Sequence, residues 1–297
     1  MNATTQVLTM QMHLMGTGAG DFLAPEDEEN QAGFLPEVGR LGGRNRRYAS
    51  CAALLPDILI DFYGDRQIRR SGLETGAIRH LLITHGHWDH FQPLAIIDFA
   101  RELDHPLQVY GNDMVTAALQ FAATHQWQET AKKFGPASSP ANISTHAVHV
   151  GRSFEVGEAT ITAVQADHCV NKKIMVLEQR ALNYIIERDG RTIFYGLDSS
   201  RPMPETVELL ADFTFDLAVL DATFGPREID PSQSGHQNFA MLEQTVASFR
   251  QSGVFTEATT IVGSHISLVH VPPHDEIVDE LAGRGILLAH DGMIIDL

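Results

Sequence analysis

Four side chains able to bind metals or move protons stand within six positions of the chain: His85, His87, Asp89 and His90, in the stretch LLITHGHWDHFQP. Neutral imidazole is the commonest protein ligand for borderline metals. His85 and His87, one residue apart, can converge on one cation from a turn at a strand end. Asp89 and His90, just beyond, can turn toward a second cation close by. A lone histidine is usually a surface or satisfied core residue, but four such groups in one loop after an apolar run make coincidence a weak account. Asp89 could serve here either as a ligand or as a catalytic base.

The surrounding sequence supplies elements to hold this loop. IRHLLIT has the apolar character of a buried strand delivering the cluster, and PLAIIDFAREL, directly after it, has the one-sided apolar pattern of a helix. CAALLPDILIDF suggests two short strands and a turn. Residues 7–15 alternate loosely as a strand would and then meet GTGAGD, where a dinucleotide fingerprint would need a third glycine at the position of Asp21. A tight turn with a close backbone approach is the expectation instead. Residues 21–48 show no period, and loops of that length are often functional. Their basic end, Arg44, Arg46 and Arg47, could meet a phosphate or form a solvated face. Further strands are expected near 107–110, 145–149, 159–166, 182–187, 191–196, 216–221 and 259–263, and helices near 112–123, 204–212, 236–250 and 274–283. The pattern predicts an α+β chain, two mixed sheets flanked by helices, as a single domain over 1–297.

Composition narrows the partners. Of 297 residues, 43% are hydrophobic and 20% charged, the profile of a folded enzyme. Lys and Arg number 21 against 38 Asp and Glu, a formal net charge of -17, so nucleic acid and anionic membrane are unfavoured partners. A small anionic substrate drawn in by metal is still compatible. Cys51 and Cys169, the two cysteines, make no disulfide framework and fit a reducing compartment, with the cytoplasm as the expected location. The first residues lack the basic leader and apolar core of a signal peptide, and no window approaches the ~20 apolar residues of a membrane span.

His-x-His-x-Asp-His after a strand is the signature of the metallo-beta-lactamase superfamily, which the chain resembles through HGHWDH. The resemblance implies a four-layered αβ/βα sandwich and a dinuclear centre of divalent cations. Later residues then fill the remaining ligand positions: His168 in VQADHCV, Asp198 in TIFYGLDSS and His265 in TIVGSHISLVH. One cation would take His85, His87 and His168, the other Asp89, His90 and His265, with Asp198 bridging. Such a pair shares a carboxylate and a water, lowers the water's pKa and neutralises charge on the attacked centre. Zinc, manganese and iron all suit imidazole with carboxylate.

Within the superfamily, LDATFGP and GHQNFAML, with His236 opening a helix, resemble the phosphodiesterase branch of ribonuclease Z and the carbon–phosphorus lyase accessory phosphodiesterase, as does the closing LLAHDGMIIDL. That likeness implies hydrolysis of a small cyclic or linear phosphodiester by a metal-bridging hydroxide, with His236 as general acid and Asp221 orienting it. Asp89 is grouped with these catalytic residues as well as with the ligands. Carboxylic-ester, lactone or thioester hydrolysis and non-catalytic metal binding are the competing readings. The accessory phosphodiesterase's cysteine-rich zinc insertion and ribonuclease Z's basic, glycine-rich arm are both missing. Cys169 is read as packing, His270 or His274 as a residue that could line the pocket, and a homodimer as the common state of such enzymes.

Overall fold

The computed structural model describes residues 10–22, 37–139, 141–169, 180–230 and 235–297. The first part of the expected 7–15 strand and much of the 21–48 segment lie outside the described residues.

Among the described residues, period-two alternation of apolar residues builds two seven-stranded sheets. In Cys51–Leu54, Ala52 and Leu54 face one way and Cys51 and Ala53 the other; Ile58 and Ile60 likewise part from Leu59. The first set meets Ile161, Ala163, Tyr184, Ile186, Tyr195 and Val219 of the second sheet in a core between the sheets. The opposite face of the first sheet packs on helices through Ile96, Ile97, Phe99, Val115 and Leu119. The outer face of the second sheet does the same through Leu242, Val246, Phe249, Ile277 and Leu281. Helix, sheet, sheet, helix is the four-layered α+β sandwich expected. The central strands are covered on both faces, which is why they read as apolar runs.

In each sheet the strands that matter for the site run parallel. Ile58–Ile60, His80–Leu82 and Leu107–Gly111 are parallel neighbours in the first. Arg191–Gly196, Leu217–Asp221 and Thr260–Ser264 are parallel neighbours in the second. Parallel strands place their carboxyl ends along one edge, where open α/β sheets bind ligands. Two cross-sheet hydrogen bonds tie these edges together: Tyr184 Oη donates to the Ile83 carbonyl at 2.7 Å, and Leu182 N to the Thr84 carbonyl at 2.9 Å.

The helices start where their sequences provide caps. Pro93 opens Pro93–Glu102, where its missing N–H costs nothing. The Asn112 side chain accepts from Val115 N at 3.0 Å at the start of Asp113–Thr124, and Asn238 accepts from Met241 N at 2.9 Å at the start of Phe239–Ser252. That second helix therefore begins at Phe239, and the expected start at 236 is corrected: His236 sits before it, in the turn after Gly235, whose φ is 65°. Several short strands escaped the sequence reading, among them Ser153–Val156, Met293–Asp296 and the hairpin His125–Gln128 with Lys133–Pro136. Half-exposed polar strands of this length carry little periodic signal. Among the described residues, no helix is long and apolar enough to cross a membrane.

Candidate metal centre and active-site cleft

The strand His80–Leu82 ends in a loop that turns back on itself, with His90 N and Phe91 N both donating to the His87 carbonyl at 3.1 and 2.9 Å. That turn aims His85, His87, Asp89 and His90 across the sheet edge. Opposite them, His168 comes from near the end of Ala159–Cys169, Asp198 from two residues past Arg191–Gly196, Asp221 from the last position of Leu217–Asp221, and His265 from just past Thr260–Ser264. Asp221 pairs with Ser264 in the parallel register, so it arrives beside His265. Asp61, Asp198 and His265 all adopt left-handed backbone, with φ of 60°, 51° and 61°. Asp and His tolerate that region better than most residues, and at roughly 1–2 kcal/mol each the cost falls where three strand ends bend toward one point.

The structure brings the expected ligands into two groups whose potential donor atoms lie within 4.8 Å of one another: His85, His87, His168 and Asp198, and Asp89, His90 and His265. His87 Nδ1 stands 2.9 Å from His85 Nε2 and 3.0 Å from His168 Nε2, while His90 Nε2 and His265 Nε2 are 3.2 Å apart. Asp198 reaches both groups, with Oδ2 3.5 Å from His85 and His168 and Oδ1 3.3 and 3.1 Å from His90 and His265.

The donor chemistry fits divalent cations. The outer nitrogen of each of four rings is already engaged: His85 Nδ1 by Thr84 Oγ1 at 3.0 Å, His168 Nδ1 by the Gly235 carbonyl at 3.0 Å, His90 Nδ1 by Asp61 at 2.7 Å and His265 Nδ1 by Thr223 Oγ1 at 2.7 Å. A carbonyl or carboxylate partner fixes the proton on that outer nitrogen and leaves a lone pair facing inward. Three inward nitrogens in mutual contact cannot all be satisfied by one another's protons; a cation satisfies them together. Asp198 Oδ1 is buried without a hydrogen bond, an acceptor awaiting a partner. Burial pushes His168 down to about 4 and His85 well below the usual imidazole range, so both are neutral, the ligand form. Burial works the same way on His90, yet Asp198, Asp89 and Asp61 hold it well above that range. The carboxylates demand positive charge at that position.

Asp61 and Thr84 were not singled out in the sequence. Asp61 is wholly buried and accepts from Thr84 N at 2.8 Å and Thr84 Oγ1 at 2.9 Å while holding His90. Its only signal was its place at the end of CAALLPDILIDF, and its role needs the pairing of Ile60 with Leu82 to become visible.

His236 Nδ1 lies 2.8 Å from Asp221 Oδ2, with its ring 4.7 Å from that of His168 and 5.2 Å from that of His265. Asp221 is fully buried and also accepts from Thr223 N and Gln237 N. Burial alone would lower the His236 pKa; the nearby carboxylates, Asp221 first and then Asp198 and Asp89, together outweigh it and raise it to about 8. Asp198, Asp221, His236 and His265 together form a third group of close potential ligands. A cleft of about 490 Å³ opens beside these groups, lined in part by His87, Asp89, Asp198, His236, His265 and His270.

The glycine-rich turn passes close to the His265 strand end: Ile266 N donates to the Thr17 carbonyl at 2.7 Å and Ala19 N to the Ile266 carbonyl at 3.1 Å. A Cβ on Gly16 would fall 1.8 Å from the Ala49 carbonyl oxygen. Asp21 accepts from Ser267 Oγ at 2.6 Å and Val269 N at 2.9 Å, holding the loop that carries His270. Arg47 is not a phosphate contact: it is buried and donates to Thr17 Oγ1 and the Ala289 carbonyl, beside His274. His274 is thus a buried helix-start residue, and His270 is the one that lines the cleft. The side chain of Cys169 lies outside the described residues.

The model of the beta-lactamase superfamily domain matches residues 54–266. Among curated proteins, none matches the sequence. Solved structures of similar fold include a diphosphatase of the PhnP family, with 22% identity, 97% of this chain and 98% of that one covered and a TM-score of 0.69. Zinc-bound PqqB from Methylobacterium extorquens gives 16%, 97%, 100% and 0.67 on the same measures. The short form of human tRNase Z gives 19%, 97%, 99% and 0.63.

Proposed function

The chain belongs to the beta-lactamase superfamily, and on that premise we propose that it is a metal-dependent phosphodiesterase acting on a small phosphodiester. The observation that carries this reading is the His236–Asp221 pair, 2.8 Å apart beside the ligand cluster. The diphosphatase and tRNase Z among the structural neighbours add to it, since both names denote enzymes that act on phosphate linkages.

His85, His87 and His168 would hold one divalent cation and Asp89, His90 and His265 another, with Asp198 able to reach both; zinc, manganese or iron would suit this donor set. When bound, the cations act as Lewis acids toward phosphoryl oxygens and lower the pKa of water. Asp89 acts with the ligands in this reading, its Oδ2 lying 3.4 and 3.5 Å from His90 and His265 Nε2.

His236 is the catalytic acid. Asp221 binds Nδ1 and orients the ring, and its charge, with those of Asp198 and Asp89, favours the protonated form that donates to the departing oxygen. An alkoxide leaves phosphorus poorly unless it receives that proton. Asp221 acts through His236 and is a positioning residue.

The test compares wild type and His236→Ala, loaded with zinc or manganese, on a diester with an alkyl leaving group and on bis(p-nitrophenyl) phosphate. Loss of the acid lowers kcat by about 10²–10⁴-fold on the alkyl ester and much less when p-nitrophenolate leaves, since that anion departs unprotonated. Equal activity of the variant on both would overturn the role of His236. Turnover of carboxylic esters, lactones or thioesters with none of diesters would overturn the phosphodiesterase reading itself.

A further inference from the structure

Trp88 stands between His87 and Asp89 in the cluster loop, so its position relative to the ligands is set by the chain itself. Its carbonyl accepts from Gln92 Nε2 at 2.7 Å, which secures the turn from the other side. The indole rests against Phe22, centroids 4.8 Å apart, and Tyr63, 6.2 Å away, and these two rings meet edge-on at 4.6 Å. Phe22 is buried, yet Trp88 is 54% exposed and lines the cleft. Gly20 lines the cleft beside it: a Cβ built there would meet Asp89 Oδ2 at 3.5 Å and Trp88 Nε1 at 3.9 Å, ordinary contact distances.

An indole with one face packed and about half its surface uncovered among the described residues, beside a cluster of candidate ligands, is a rigid ring backed by two others and a ready stacking platform. Its ring contacts are with Phe22 and Tyr63, whereas those of His236 are with His168, His265 and Phe224. Among the described residues the two sets share no ring, which sets the indole and the proton donor in separate parts of the cleft.

We propose that Trp88, backed by Phe22 and Tyr63, is a specificity-determining shelf that stacks a planar aromatic group on the retained side of the substrate, the side His236 does not protonate. The inference rests on the phosphodiesterase reading for the reaction and on the aromatic cluster alone for the shelf. The substrate class is then a phosphodiester with an aryl or nucleobase substituent.

Two substrates with the same leaving group isolate the retained one: thymidine 5′-(p-nitrophenyl phosphate) and methyl p-nitrophenyl phosphate, assayed with the metal-loaded protein. Trp88→Leu, which keeps apolar bulk and removes the π face, raises KM for the thymidine ester about 10-fold, the low end of what a base stacked on an aromatic ring contributes. It leaves kcat and the methyl ester nearly unchanged, and Trp88→Phe keeps most of the preference. A change of equal size on both esters, or a Phe variant as impaired as the Leu one, overturns the proposal. Metal content equal to wild type by elemental analysis shows that the ligand loop has kept its fold.

Binding gives a readout independent of turnover. The chain has two tryptophans, so Trp127→Phe leaves Trp88 as the sole indole fluorophore. Thymidine 5′-monophosphate then quenches it saturably and ribose 5-phosphate does not; no quenching by the nucleotide overturns the shelf. Quenching without hydrolysis of either diester supports the shelf and overturns the phosphodiesterase reading instead.

Discussion

The two sheets contribute to the cleft in opposite ways. The first delivers His85, His87, Asp89 and His90 from a single loop, stiffened by one buried carboxylate, Asp61. The second delivers His168, Asp198, Asp221 and His265 one at a time from separate strand ends, with Thr223 bridging Asp221 and His265 at 3.1 and 2.7 Å. One half is local and the other exists only when four strands are in register. A centre assembled in this way couples its chemistry to the packing between the sheets, because neither half alone presents a complete set of donors.

Asp198 is the residue at which the two contributions join, since its carboxylate faces both groups of imidazoles. Asp198→Ala therefore has the largest expected effect: kcat/KM falls by about 10⁴-fold or more, and elemental analysis finds less metal per chain. An activity within tenfold of wild type would mean that the halves work independently, which would break the comparison.

The same contrast explains what could be read in the sequence. The local half was legible because its spacing is a property of adjacent residues. The positions of His168, Asp198 and His265 were proposed only through the resemblance; nothing in VQADHCV or TIFYGLDSS by itself says that the two strand ends meet. The layers were legible because period-two runs and one-sided helices survive in the sequence. His236 was placed at the start of a helix that begins at Phe239, since the cap belongs to Asn238 and the glycine before His236 takes a positive φ. Asp61, Thr84 and the shelf under Trp88 carried no spacing signal, because each works through contacts made across strands or between loops.

Asp61→Asn tests the support of the local half. It keeps the shape and replaces a charged acceptor with an amide, so His90 loses the partner that fixes its tautomer. Outer partners of this kind are worth about 10–100-fold in metal affinity, and competition with a chelator measures the loss. An affinity equal to wild type would show that the loop holds His90 unaided.

The smallest effect is expected in the distributed half, from Asp221→Asn, and it shows as a shift in pH dependence. His236 donates only when protonated. Burial disfavours its charge while Asp221, with Asp198 and Asp89 behind it, restores it, which puts its pKa at about 8, so the protonated form dominates at pH 7 and activity falls as the pH rises through about 8. Without the Asp221 charge, burial prevails and the pKa drops, so the falling limb of the kcat profile moves to lower pH. The loss is about tenfold above neutrality and nearly absent on the acid side, where His236 stays charged in either protein. A limb that keeps its position in Asp221→Asn, or that survives in His236→Ala, would assign the titration to another group. Asp221 would then serve only to brace Thr223 and Gln237, and the second sheet would resemble the first in having its buried carboxylate as structural support.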